Sequence, residues 1–163
     1  MALHLASKLP SEVVKGLVLF SPVRPPPEAG RQALTARAET VRQSGMVAVV
    51  AAVCSNAFAS ESLSTRRAEV ALAREMLTRQ PSEGYALAVD ALRNSAAPLW
   101  GSIRGNVIVV SGETDKVSTV AAGQATVADI GSHAQQVVLQ KVGHWPMLEA
   151  PNESIDAIKQ LAR

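Results

Sequence analysis

Gly105-Asn106-Val107-Ile108-Val109-Val110-Ser111-Gly112-Glu113-Thr114-Asp115 is followed, after a helical segment, by Gln136-Val137-Val138-Leu139-Gln140-Lys141-Val142-Gly143-His144-Trp145-Pro146-Met147-Leu148-Glu149. The two stretches share one grammar. A short apolar, β-branched run reaches a glycine, and an ionisable residue follows. Such runs are too short for ordinary helices and suit parallel strands buried on both faces. Open α/β sheets gather ligands and reactive groups along the carboxyl edge of their strands. The pattern therefore predicts Asp115 and His144 at neighbouring strand ends, close enough to touch.

A carboxylate beside an imidazole suits two members of a nucleophilic triad. The carboxylate fixes the ring tautomer and stabilises the imidazolium that forms, while the imidazole serves as general base near neutral pH. Two plainer readings stand beside this one: Asp115 as a turn residue capping its own loop, and His144 as a buried hydrogen-bonding histidine.

The 163 residues suffice for one domain with a substantial core. Hydrophobic residues make up 47% but aromatics only 3%, so that core is mostly Ala, Val and Leu. The net charge of +2 is scattered rather than blocked, which argues against nucleic acid. No apolar run approaches the ~18 residues of a membrane span, and no secretory leader is recognisable, so a soluble, cytoplasmic protein is expected. Cys54, the one cysteine, lies in an apolar run and reads as a small buried thiol. His4, His133 and His144 are scattered, with no cysteine at ligand spacing, so no metal or other cofactor is expected.

Residues 1–9 look like the end of an amphipathic helix, broken at Pro10. Residues 13–20 predict a strand, with Leu17 to Phe20 continuously apolar, and the proline-rich exit from Ser21 to Pro27 allows neither helix nor strand interior. Residues 28–96 are Ala-rich, with helices expected near 28–43, 45–54, 63–79 and 82–94. In the third, Val70, Leu72, Ala73, Met76 and Leu77 form the apolar face. This block interrupts the strand pattern as a helical insertion would, and such insertions often form a lid. Then come a strand at 107–110, a helix at 118–130 capped by Ser118, a strand at 136–142 and a last helix opened by Asn152. Ile155, Ile158 and Leu161 are expected to dock that helix on the sheet. Alternating strands and helices imply a parallel sheet.

Three stretches together resemble the α/β-hydrolase superfamily. Residues 2–22 look like the helix after the nucleophile and the family's sixth strand. Residues 107–115 look like the seventh strand and its acid-bearing loop. Val142-Gly143-His144-Trp145-Pro146-Met147-Leu148-Glu149-Ala150-Pro151-Asn152-Glu153 looks like the end of the eighth strand, the catalytic-histidine loop and the C-terminal helix. A Gly-x-x-Asp after an apolar strand is common, but joined to Gly-His-x-Pro-x-x-Glu-x-Pro one strand later it is specific. Residues 84–93 are similar to the cap exit of the 3-oxoadipate enol-lactonase group. The resemblance implies the C-terminal part of an α/β-hydrolase fold: three parallel strands, flanking helices and a helical cap. Residues 1–27 and 97–163 would form the core portion and 28–96 the cap. It implies a small ester or lactone as substrate, Asp115 as triad acid and His144 as base, with Trp145 and Met147 near the wall of the substrate site.

The family's nucleophile sits in Gly-x-Ser-x-Gly at a strand-to-helix turn, and no such motif occurs here. Gly101-Ser102-Ile103-Arg104-Gly105 has the wrong spacing and precedes a strand, and Ser21 is followed by Pro22. Met1 corresponds to a position about five residues past the family's nucleophile. The expectation is a truncated hydrolase, inactive alone, in which the strand at 16–20 becomes an unprotected edge inviting self-association or another chain's strand. A non-catalytic binding or assembly module derived from a hydrolase is the alternative. Nucleotide binding is disfavoured, because no strand leads into a Gly-x-Gly-x-x-Gly or Walker-type loop.

Overall fold

A computed structural model describes residues 1–161. By internal contacts these fall into two units. One holds residues 1–24, 57–59 and 97 onward; the other holds residues 25–56 and 60–96.

The first unit is built on a parallel sheet of three strands, β1 (Gly16–Phe20), β2 (Asn106–Gly112) and β3 (Ala134–Leu139), in the order β1-β2-β3. Leu17 lies beside Val107 and Phe20 beside Val110, while Val107 lies beside Ala134 and Gly112 beside Leu139. Successive side chains on a strand point to opposite faces. Val107 and Val109 thus join Leu19, Ile103 and Ile130 in one core, packed by helix α1 (Ala2–Ala6), the 3₁₀ turn Trp100–Ser102 and helix α7 (Val120–Ile130). Ile108 and Val110 join Leu139, Val142 and Ala157 in the other, under the short helix α8 (Pro146–Glu149) and helix α9 (Pro151–Leu161). Residues 107–112 of β2 are buried on both faces, which is why its run from Val107 to Val110 is unbroken Val and Ile.

The second unit contains α2 (Glu28–Ser44), α3 (Val47–Ala57, whose last residue belongs to the sheet unit), α4 (Ser60–Thr65), α5 (Arg67–Thr78) and α6 (Ser82–Arg93). Ala38, Ala86 and Val89 form a small core between α2 and α6, flanked by Leu34 and Tyr85. Small residues there let the two helices approach closely. Arg42 reaches across to Glu83 and Asp90, and its hydrogen bond holds the Asp90 carboxyl below its ordinary value. These groups are largely solvent-exposed, so the cluster adds little stability. Cys54 is fully buried, and burial pushes its thiol up, as befits an inert core cysteine.

Several local expectations are corrected. The segment expected as one helix over 63–79 is broken near Arg66 into α4 and α5. In α5 the buried face is Val70 and Ala73, whereas Leu72 and Met76 are exposed. The cap of α7 is Thr119, whose hydroxyl accepts from the Ala122 N–H at 3.3 Å. Ser118 is instead drawn away, donating its hydroxyl to the Pro22 carbonyl at 2.7 Å. Helix α9 begins at Pro151, ahead of Asn152. It rests on Ser154 and Ala157, with Leu161 packed against the sheet core, while Ile155 and Ile158 are about half exposed, at 48% and 51%. The small pair lets the helix lie close, and that rotation turns the isoleucines outward.

Truncating Ile103, which is fully buried, to alanine should cost about 2–5 kcal/mol in urea unfolding. Ile155→Ala should stay within about 0.5 kcal/mol of wild type. Comparable losses at both positions would contradict the assigned face of α9.

Candidate active site

Two loops meet at the carboxyl end of the sheet. The first leaves β2 at Gly112 and runs through Glu113 and Thr114 to Asp115. The second leaves β3 after Leu139 and reaches Gly143 and His144. Backbone bonds lace them together: the Glu113 N–H donates to the Leu139 carbonyl at 2.9 Å and the Thr114 N–H to the Val142 carbonyl at 2.9 Å. The Thr114 hydroxyl donates to that same carbonyl at 3.0 Å, and the Lys141 N–H to the Glu113 carboxylate at 2.9 Å. Gly112 makes this approach possible, because a Cβ there would run into the carbonyls of Gly143 and Val142. Gly143 is hemmed in similarly by the backbone of Ala57 and Ala59.

The loops bring together the two residues singled out from sequence. Asp115 Oδ2 lies 2.9 Å from His144 Nδ1, with the Asp115 side chain fully buried and the imidazole 18% exposed. Asp115 Oδ1 accepts from the N–H groups of Val117 at 2.7 Å and Ser118 at 2.8 Å. The carboxylate therefore does both jobs that the sequence left open: it caps its own loop and it holds the ring. Burial pushes the Asp115 carboxyl up, but the hydrogen bonds from His144, Ser118 and Val117, with the attraction of the ring, outweigh it and leave the group below its ordinary value. An ionised acceptor on one side places the ring proton on Nδ1 and leaves the lone pair of Nε2 as a base. Among the described residues no hydrogen bond engages Nε2.

Trp145 and Met147 differ in their surroundings. Trp145 packs edge-to-face on Phe58, with ring centroids 5.2 Å apart at 86°. Met147 is 46% exposed. Sequence reasoning gave no role to two neighbours of this site. Phe58 is fully buried, and Glu149, only 3% exposed, accepts from the N–H groups of Gly143 at 3.0 Å and Ala59 at 2.8 Å. The signal for Glu149 was its place in Gly-His-x-Pro-x-x-Glu; Phe58 stood in an unremarkable Ala-rich stretch. Ser21, just past β1, takes a positive φ of 45° and is buried with its hydroxyl unpartnered among the described residues.

Residues 1–157 match the family model described as the alpha/beta hydrolase family. Solved structures share the fold. An enol-lactonase from Burkholderia xenovorans LB400 superposes with a TM-score of 0.86 at 21% identity, over 98% of this chain and 60% of that one. A hydrolase from Pseudomonas aeruginosa PA01 gives 0.86 at 23%, over 98% and 59%. A thermophilic esterase from Thermogutta terrifontis gives 0.82 at 23%, over 91% and 56%. The chain thus spans less than two thirds of the length of these structures. No protein of curated function matches the sequence.

Two outcomes test this geometry. The depressed Asp115 carboxyl contributes stability that is present above the unfolded carboxylate value of about 3.9 and is lost as pH falls through the lower, folded value. Asp115→Asn should therefore flatten the acid limb of a stability-against-pH curve; an unchanged limb would refute the assignment. Gly112→Ala should cost about 1–3 kcal/mol or more, because the new methyl meets backbone that cannot step aside.

Proposed function

Because the chain belongs to the alpha/beta hydrolase family, we propose that Asp115 and His144 are the acid and base of a Ser-His-Asp triad that hydrolyses a small carboxylic ester or lactone. The carrying observation is the 2.9 Å contact between Asp115 Oδ2 and His144 Nδ1, with Nε2 left free to take a proton. In this reading Nε2 removes the proton of a serine hydroxyl as its oxygen attacks the acyl carbon. The imidazolium, stabilised by Asp115, then returns that proton to the departing alkoxide. The same base next activates the water that releases the acid. Trp145 and Met147 are assigned to the wall of the substrate site, and residues 28–96 to the family's cap. Enol-lactones are the favoured substrates, on the likeness of residues 84–93 to the cap exit of that group; the Burkholderia enol-lactonase is among the structures sharing the fold.

The 163 residues contain no Gly-x-Ser-x-Gly, so the serine and the oxyanion-hole donors must come from a polypeptide segment outside them. Purified alone, the chain should give no ester or enol-lactone turnover that depends on His144. Joined or mixed with a family segment bearing the nucleophile turn, it should hydrolyse, and Asp115→Asn should then lower kcat by about 10⁴-fold. His144-dependent turnover by the chain alone would overturn the need for a second segment. Assembly without any turnover would overturn the hydrolase reading.

A second reading, as a non-catalytic assembly module, is favoured by one observation. β1 ends the sheet, its outer edge unpaired among the described residues, and its run Leu17-Val18-Leu19-Phe20 carries no charge or proline to discourage pairing. That edge would pair with another copy or with another chain's strand. Here Leu17→Pro should abolish higher-mass species in sedimentation while His144→Ala leaves them intact; the reverse pattern would exclude the module.

A further inference from the structure

Glu149 is a carboxylate where packing alone would favour an apolar side chain. It is 3% exposed, no cation pairs with it among the described residues, and each oxygen is claimed by a backbone N–H. Burying an ion is costly unless its hydrogen bonds serve a purpose that a hydrocarbon cannot. The two donors identify the purpose. One is Gly143, the residue bearing the imidazole's own peptide link. The other is Ala59, in the three-residue segment 57–59 that belongs with the sheet unit although residues on both sides of it do not. That segment grips the histidine loop at three further points. The Ala57 carbonyl accepts from the His144 N–H at 2.6 Å, Phe58 packs against Trp145, and Gly143 fits against Ala57 and Ala59 only because it lacks a Cβ.

We propose that Glu149 is the positioning residue of His144. Its two oxygens clamp Gly143 to Ala59, fixing the backbone that leads into His144 against the 57–59 segment so that Nδ1 stays on Asp115. Glu149 touches no reacting atom and acts through the peptide. The inference rests on His144 and Asp115 being the proton-transfer pair. A glutamine of equal size cannot replace it: the amide has one acceptor oxygen for two N–H donors, and its own NH₂ would confront the second. An aspartate is a methylene short of spanning both.

Nuclear magnetic resonance on the full chain tests this. At neutral pH the Nδ1 proton of His144 and its ¹⁵N shifts report the tautomer and the bond to Asp115, and amide exchange reports the clamp. Glu149→Gln should speed exchange at Gly143 and Ala59 by about tenfold or more while Ile108 and Val109 in β2 stay protected. The Nδ1 proton signal should broaden away and the ring sample both tautomers. Faster exchange at Gly143 and Ala59 with an unchanged His144 signature would reduce Glu149 to a structural role and overturn the proposal, as would no change at all. Asp115→Asn, with Glu149 intact, is the separate arm. If it leaves the His144 signature unmoved, the acid–base reading fails whatever Glu149 does. Should Glu149→Gln not fold, stepwise heating of wild type decides. The Nδ1 signal should vanish together with protection at Gly143 and Ala59, before β2 opens; loss only with β2 would overturn the proposal.

Discussion

Two stretches of backbone touching without a side chain between them are the constraint on which the site depends. At Gly112 the end of β2 meets the carbonyls of Val142 and Gly143. That missing Cβ sets the separation of the two loops, and the separation brings an aspartate and a histidine to hydrogen-bonding distance. A buried Asp–His pair needs such exactness, because a carboxylate removed from water is tolerable only where its oxygens are met by donors. Asp115 meets this condition with three of them: two amides of its own loop and the ring of His144. The sheet supplies the rest of the geometry. Parallel strands in register release their exit loops on one edge, so residues remote in sequence arrive as neighbours.

The sheet and this pair were legible in the sequence for a common reason. β2 is buried on both faces, and its Val-Ile-Val-Val run admits few other readings. The glycines that end each apolar run also mark where backbone comes closest. Helix faces were less legible. In α9 the larger apolar residues, Ile155 and Ile158, suggested the docking face, but the close approach is made by Ser154 and Ala157. Hydrophobic periodicity weighs side chains by size, whereas packing distance rewards small ones. In α5 the same bias drew Leu72 and Met76 onto the buried face. Ser118 was taken as a helix cap because its residue type suits one; the Pro22 carbonyl, remote in sequence, claimed its hydroxyl instead. Glu149 stood in the histidine motif, but its bond to Ala59, like the packing of Phe58 on Trp145, joins residues too remote in sequence for pattern reading to pair.

The polar interior around the pair is nearly closed. Thr114, Glu113 and Glu149 each tie backbone to backbone across the site, whereas Ser21 keeps a buried hydroxyl with no partner among the described residues, as does Ser154 in α9. Its positive φ marks it as strained for a residue with a Cβ. Strain and an idle hydroxyl coincide at the end of β1, beside the strand that delivers Asp115.

A row of three strands has a single interior member, and here that member is β2. A fault in either outer strand leaves a hairpin-sized remnant of the sheet, but a fault in β2 leaves two ribbons with nothing in common. Among the described strands, tolerance to sequence drift should therefore be lopsided: greater along β1 and β3, outside their core positions Leu19 and Leu139, than along the one ribbon that both others lean on.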